Sequence, residues 1–560
     1  MSRTTLDVLV VGAGVAGIRA VDSMRRLGLR VLGVERASDF GGTWYWNRYP
    51  GLRCDVESTF YSYSFDPALE QEWTWSEKFA TGDEIRAYLD WVVERIGVRP
   101  LFRFGQEVTS AHWDDDEERW TVRTDTGAEY DARWIIWATG ILSTPHTPDL
   151  PGQDEFEGLV LDAARWPHTE PDLDGKRVAI LGAGSTAIQI VPELVDRVAH
   201  LSVLQRTPSW SIPAHNRPRT PEHTAEIKSS YRRLRRDQFR SQLGALVTGR
   251  DCSALEVSDE EREAAYWESY DYGSPMLYGA TFADLFTNAE ANATASAFVA
   301  DRIRERVGDP VLAERMIPDY PILSRRLCVD TDYYESFALP HVELVDLRDE
   351  PIERLTPYGL ATTRREIGID VLIRATGFDA LTGTLRRIDI TGRGGHRLVD
   401  HWADGPRSYL GLAVAGFPNM WLVTGPGSPS ASSNMMASIE QHIAWITEMA
   451  EWLVEGDAET FEASPEAEAR WAAHVAEVGA GTLLPGTDSW YLGSNIPGKP
   501  RVLLQYMGGV GGYGQHIASV ADRGYAGFTV VGMKDPGILT TIGSGGRSGA
   551  EATSLDGTAA

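Results

Sequence analysis

A chain of 560 residues is too long for one hydrophobic core, so two or three closely associated domains are expected. Its 42% hydrophobic content, with 18 Trp, 20 Tyr and 16 Phe, excludes a disordered chain and supplies material for aromatic-lined cavities. A formal net charge of -27 repels phosphate backbones and anionic headgroups, which argues against nucleic acid and membrane surfaces as partners. Three cysteines, Cys54, Cys252 and Cys328, are widely spaced, with no CxxC or Cys/His metal spacing, a usage that fits a reducing cytoplasm. Nothing in the residues speaks to oligomeric state.

The first pattern, Val8-Leu-Val-Val-Gly12-Ala-Gly14-Val-Ala-Gly17, reads as a strand, a tight turn and a helix start rather than a signal-peptide core. Gly12 and Gly14 permit a pyrophosphate to approach a helix N-terminus, and Gly17 lets helix and strand pack. The next strand ends at Glu35, where a carboxylate can accept hydrogen bonds from a ribose diol. Trp44, Tyr45, Trp46 and Tyr49 follow as a dense aromatic cluster, for which core packing is the commoner explanation. The apolar run from Trp134 stops at Ala138-Thr139-Gly140, and the same ending recurs at Ala375-Thr376-Gly377. Both read as strands whose ends come close to a ligand.

A second glycine turn lies at Gly182-Ala-Gly184-Ser185-Thr186-Ala187, with Ala187 in place of the third glycine. The strand after it ends in Gln205-Arg206-Thr207, which puts a guanidinium where the first unit has its carboxylate. Arg206 can pair with a 2′-phosphate that a carboxylate would repel, so NADPH is predicted over NADH. Opposite ribose chemistry at two turns implies electron transfer from NADPH to a flavin held in the first fold. A disulfide reductase would pass those electrons to a cysteine pair, but Cys54 stands alone before position 252. Oxygen is left as the acceptor.

The predicted fold is α/β, two Rossmann-like dinucleotide-binding domains with a mostly helical insertion. Residues 1–144 and 377–536 are assigned to an FAD-binding domain, 145–217 and 322–376 to an NADP-binding domain, and the charged stretch 218–321 to the insertion covering a site. Residues 537–560, rich in Gly, Ser, Thr and Ala, are expected to form a flexible tail.

The stretch Gly41-Gly42-Thr43-Trp44-Tyr45-Trp46-Asn47-Arg48-Tyr49-Pro50-Gly51-Leu52-Arg53-Cys54-Asp55 resembles the longer motif of the Baeyer-Villiger monooxygenases. Gln205 to Pro208, Ala375 to Asp379, Gly425 to Ser430 and Ser489 to Arg501 are similar to further motifs of that family, so the likeness runs from about residue 6 to about 530. One departure is that Asp162 occupies the histidine position of the shorter motif, between Phe156-x-Gly158 and Trp166-Pro167, in a segment that links the two nucleotide domains in the family. This change bears on domain coupling and on the handling of NADP.

The resemblance implies FAD and NADPH as cofactors, with O2 and a small hydrophobic ketone as the reacting partners. Reduced flavin would form a C4a-peroxyflavin that attacks the ketone, and rearrangement would give an ester or lactone. By the same resemblance Arg326 is the permanent cation beside the flavin and Arg325 contacts NADP. A guanidinium keeps its proton and can stabilise an oxyanion without acting as an acid. Asp55 is its natural counter-charge, since a buried unpaired arginine is expensive. The flavin contacts implied are Gly42, Thr43, Trp44, Tyr45, Trp46, Arg53, Asp55, Tyr61, Val108 and Met435. The NADP contacts implied are Gly182, Gly184, Ser185, Thr186, Ala187, Gln189, Arg206, Thr207, Arg325, Arg326, Trp490 and Lys499. The loop Ser430-Ala431-Ser432 borders the substrate pocket in the family, and its small residues give room for a bulky ketone. Two alternatives stay open: oxidation of sulfur or nitrogen with the same cofactors, and a non-oxygenating NADPH-dependent flavoprotein.

Overall fold

A computed structural model of the protein describes residues 4–534. The tail expected over 537–560 lies outside the described residues. No helix among the described residues is long and apolar enough to cross a membrane.

An eight-stranded sheet is built on Thr4–Val11, which pairs in parallel with Val31–Val34 on one side and Glu129–Trp137 on the other. Its middle strands are apolar on both faces, as strands covered on both sides must be. Val8, Val10, Trp134 and Ile136 face one core with Ile18 and Val21 of the helix Val15–Arg26 and Ile443 and Ile446 of the helix Met435–Glu455. Leu9, Val11, Ile135 and Trp137 face the opposite core with Trp120, Trp402 and Leu422. The chain leaves this sheet and returns much later, first when Asp389–Thr391 adds in parallel to Val108–Asp114 and then when Met420–Leu422 adds in parallel to Glu129–Trp137. That return brings the N-terminus of the helix Met435–Glu455 to the end of the sheet where the first glycine turn lies.

A second sheet of five parallel strands runs in the order Val342–Asp346, His200–Gln205, Arg177–Leu181, Val371–Arg374, Leu159–Asp162. The helix Ser185–Leu194 covers one face through Ile188 and Val191, which pack on Val178 and Ile180. The helices Pro221–Arg240, Asp259–Tyr272, Pro275–Gly279, Ala289–Val307 and Pro310–Met316 lie between the two halves of this sheet in the sequence. Local chemistry sets where they start: Ser258 and Glu261 close a capping box, and Thr220 accepts from the backbone N–H of His223.

Both glycine turns are forced by the strand beside them. Gly12 has φ +115°, and a Cβ there would lie 2.4 Å from the Ala138 carbonyl oxygen. Gly182 has φ +126°, with the Ala375 carbonyl oxygen at the same 2.4 Å. The repeated Ala-Thr-Gly endings are thus the surfaces against which the two turns press, one pair per sheet.

Candidate active site

The two turns open into one cavity of about 1220 Å³. Its wall carries Gly12, Gly14, Glu35, Gly42, Thr43, Trp44, Trp46, Arg53, Asp55, Tyr61, Val108 and Met435 from the first set of expected contacts. From the second set it carries Gly182, Gly184, Ser185, Thr186, Gln189, Arg206, Thr207, Arg325, Arg326 and Trp490. Four expected contacts stand outside the lining. A Cβ on Gly17 would meet the Gly12 carbonyl at 1.8 Å, so this glycine serves the packing of helix on strand. Ala187 is buried in the core of the second sheet. Tyr45 turns its hydroxyl to Ser38, 2.7 Å away. Lys499, expected to hold NADP, instead places its ammonium 2.6 Å from Asp379 and 3.0 Å from the Ala380 carbonyl, with 3% of its side chain exposed. A carboxylate within reach wins over the cavity, and burial lowers the lysine pKa against that pairing.

On the side of the first turn, Glu35 accepts one backbone N–H on each carboxylate oxygen, from Ala13 and from Ala37, both at 2.8 Å. The carboxylate is therefore fixed in place, and each oxygen keeps a lone pair for a hydroxyl. Trp44 donates its indole N–H to the Tyr61 hydroxyl at 3.0 Å. Trp46 lies under two cations, the guanidiniums of Arg165 at 4.2 Å and Arg36 at 5.2 Å. Both arginines also donate to the Ser143 carbonyl, at 2.9 and 2.7 Å. Burial lowers the Arg165 pKa to about 10, with the neighbouring Arg36 charge acting in the same direction. No sequence motif announced this cluster, because it assembles three distant segments on one backbone oxygen.

The second turn is a more open place. Arg206 is exposed on the cavity rim, and no hydrogen bond or ion pair engages it among the described residues. Arg325 stacks 4.4 Å over the Tyr320 ring and leaves its Nε buried without a partner. Unmatched guanidinium donors beside a glycine turn are what a dinucleotide phosphate would satisfy. On the other side, a cradle that a Cβ would fill and a fixed carboxylate fit the pyrophosphate and ribose of a second dinucleotide. Tyr49 and Gln189 join the two halves: the Tyr49 hydroxyl donates to Gln189 Oε1 at 3.0 Å, and Gln189 Nε2 donates to the Arg53 carbonyl at 3.1 Å. Gly51 explains itself here, since a Cβ would sit 2.4 Å from the Gln189 carbonyl and its φ is +77°.

Arg326 and Asp55 meet in the wall between the two turns. Arg326 Nη2 donates to Asp55 Oδ1 at 2.6 Å, Nε donates to Oδ2, and Nη1 donates to the Ala431 carbonyl at 2.5 Å. Burial pulls the guanidinium pKa down, and the Asp55 carboxylate more than offsets it, so the net shift is upward. The charge is permanent and its direction is fixed from two sides. Cys54 and Cys328 also line the cavity, and burial raises both thiols, Cys328 to about 12. All three cysteines are free thiols.

Asp162, at the expected linker position, caps the short turn Ala163–Arg165 by accepting from the Ala164 N–H at 3.0 Å. It also lies 3.7 Å from Arg374, its register partner across the parallel strands. Arg374 precedes Ala375, whose carbonyl backs the Gly182 turn.

Residues 9–242 match the family described as pyridine nucleotide-disulphide oxidoreductase. An acetone monooxygenase (methyl acetate-forming) of Gordonia sp. (strain TY-5) is 39% identical, over 95% of this chain and 100% of that protein. A phenazine N-monooxygenase of Lysobacter antibioticus is 38% identical over 94% of this chain and 97% of its own length. A Baeyer-Villiger monooxygenase of Pseudooceanicola batsensis is 35% identical over 93% and 95%. Among solved structures, an oxidized steroid monooxygenase bound to NADP superposes with a TM-score of 0.91 at 45% identity, covering 94% of this chain and 100% of the other. Near-complete coverage extends the likeness far past the nucleotide folds, through the segments that carry Asp55, Arg326 and Trp490, and the chain belongs to the Baeyer-Villiger monooxygenases.

Proposed function

We propose that the protein is an NADPH-dependent flavin monooxygenase that inserts one atom of O2 beside a ketone carbonyl, giving an ester or lactone, water and NADP. The observation that carries this reading is the Arg326–Asp55 pair in the wall of a single cavity shared by both glycine turns. When bound, FAD supplies the two-electron chemistry of oxygen, and NADPH supplies the hydride that starts it.

The chain's own residues then have three tasks. Arg326 holds a charge that cannot leave as a proton, aimed by Asp55 and the Ala431 carbonyl, where negative charge grows on the ketone oxygen. Asp55 keeps that charge from standing alone in a partly buried wall, which would otherwise be costly. Trp490, beside Tyr491 at a ring separation of 4.5 Å, and the exposed Arg206 both line the cavity, which supports a role for them in keeping NADP in place. Ala431, a small apolar residue on the cavity wall, supports a hydrophobic ketone as substrate. Three unpaired cysteines support a cytoplasmic setting.

The phenazine N-monooxygenase among the relatives favours a second reading, oxygen transfer to nitrogen or sulfur. Purified protein given NADPH, isotopically labelled O2, a cyclic or aryl ketone and a thioether separates the two. Labelled ester or lactone is expected; labelled sulfoxide with no ester would give the second reading priority, and hydrogen peroxide alone would overturn both.

A further inference from the structure

The Ala431 carbonyl that receives Arg326 lies in a loop between the strand Met420–Leu422 and the helix Met435–Glu455. A loop oxygen is a poor fixed point unless the loop is held. The Ser432 N–H, one residue on, donates to the side-chain oxygen of Gln505 at 3.0 Å. Gln505 is fixed in turn: it bridges Ser428 in parallel, flanked by Tyr506 N–H to Ser428 O at 3.0 Å and Gly427 N–H to Leu504 O at 2.9 Å.

Gln505 is fully buried, and its Nε2 has no partner among the described residues. A buried amide with half its capacity unmet is worse for stability than an apolar side chain of the same size. Packing therefore does not explain the glutamine, whereas its oxygen has a clear task. The strip that carries it reaches the same acceptor a second time, since the Tyr491 hydroxyl lies 3.4 Å from the Ala431 carbonyl and the Leu504 N–H donates to Tyr491 O at 2.9 Å.

We propose that Gln505 is a positioning residue for Arg326, acting through Ser432 to fix the Ala431 carbonyl on which the third guanidinium bond rests. It does not line the cavity and touches no substrate; it sets the direction of the charge that does. The two-pronged contact with Asp55 fixes the guanidinium in the carboxylate plane and leaves a hinge about the line of those two bonds, which the Ala431 oxygen closes. The inference rests on the reading of Arg326 given above.

The test compares the FAD-loaded parent with Gln505→Leu, which removes the acceptor, and Gln505→Glu, which keeps one. In the absence of ketone, hydrogen exchange of peptide 428–434 is expected to quicken roughly fivefold in Gln505→Leu, the weight of one hydrogen bond. With ketone, KM for NADPH and the rate of flavin reduction stay within about twofold of the parent, while a smaller share of NADPH ends in ester and more in hydrogen peroxide. Gln505→Glu restores slow exchange and the parental share. Parental exchange and parental coupling in Gln505→Leu would overturn the proposal. So would reduction and oxygenation falling together with no rescue by glutamate, since that is the mark of general damage. Should the parent itself make no ester from any ketone, the reading of the reaction fails; the exchange comparison, run without substrate, still decides whether Gln505 holds the loop.

Discussion

The two glycine turns are built alike and finished differently. At Gly12 and at Gly182 a strand-end carbonyl stands 2.4 Å from where a Cβ would be, and both turns start a helix with no side-chain cap. Past that point they diverge. Beside the first turn, Glu35 is 8% exposed and held by two backbone N–H groups, and Trp46 is clamped by Arg36 and Arg165. Beside the second, Arg206 is exposed and unengaged among the described residues, and Arg325 keeps an orphaned Nε. A preorganised wall suits a group that stays, and open charge suits one that arrives and leaves. On the proposed reading, a resident flavin at the first turn and a visiting nicotinamide at the second are told apart by finish rather than by fold.

Substituting the turns themselves is the strongest way to break this contrast. Gly12→Ala is expected to yield protein without FAD, because the Ala138 carbonyl is strand backbone and cannot give way. Gly182→Ala meets the Ala375 carbonyl equally, yet should retain the yellow flavin and lose reduction by NADPH. Flavin absorbance of the two purified variants checks both, and equal loss of flavin would erase the distinction. Next in size, Arg206→Ala should raise KM for NADPH by about 10–100-fold and leave KM for NADH nearly unchanged, the worth of one charge-assisted phosphate contact. Because Arg206 is exposed, added salt should raise the parent's KM and move the variant's much less. Glu35→Ala strands two backbone donors and should weaken FAD retention by roughly 10-fold or more while sparing KM for NADPH.

The smallest effect concerns acid. His442 is fully buried, accepts the Thr424 N–H at 3.0 Å on Nδ1, and is held neutral by burial, which lowers its pKa from 6.5 to about 3. Thr424 lines the cavity, with a φ of +56° that a β-branched residue rarely adopts. Since the folded pKa lies below the unfolded one, this contribution to stability is complete above pH 6.5 and lost as pH falls toward 3. One such group weighs at most about 1.4 kcal/mol per pH unit. His442→Gln keeps an acceptor without titrating, so its melting temperature should fall less steeply with acid across that window. Identical slopes would remove His442 from the explanation.

Much of this was legible in the chain. The continuous apolar strand runs, both glycine turns and the Glu35/Arg206 contrast follow from residue type and spacing, because backbone sterics and charge act locally. The pairing of Asp55 with Arg326 came from the resemblance, since nothing in local sequence joins residues 271 positions apart. The pairing of Lys499 was not legible either, because its partner, Asp379, lies 120 positions away and meets it only in the fold. The Ala431 and Ser143 carbonyls were invisible for a different reason: a backbone oxygen has no letter of its own, and only tertiary structure says which one an arginine will meet.

The central claim is that a fixed guanidinium serves oxygen transfer and not the entry of electrons. Arg326→Ala, assayed in one preparation for anaerobic flavin reduction by NADPH and for aerobic ester formation, separates the two steps. Reduction close to the parental rate with ester formation down by about 10²–10³ is the expected result. Ester formed at the parental rate, or reduction lost to the same degree as ester, would contradict it.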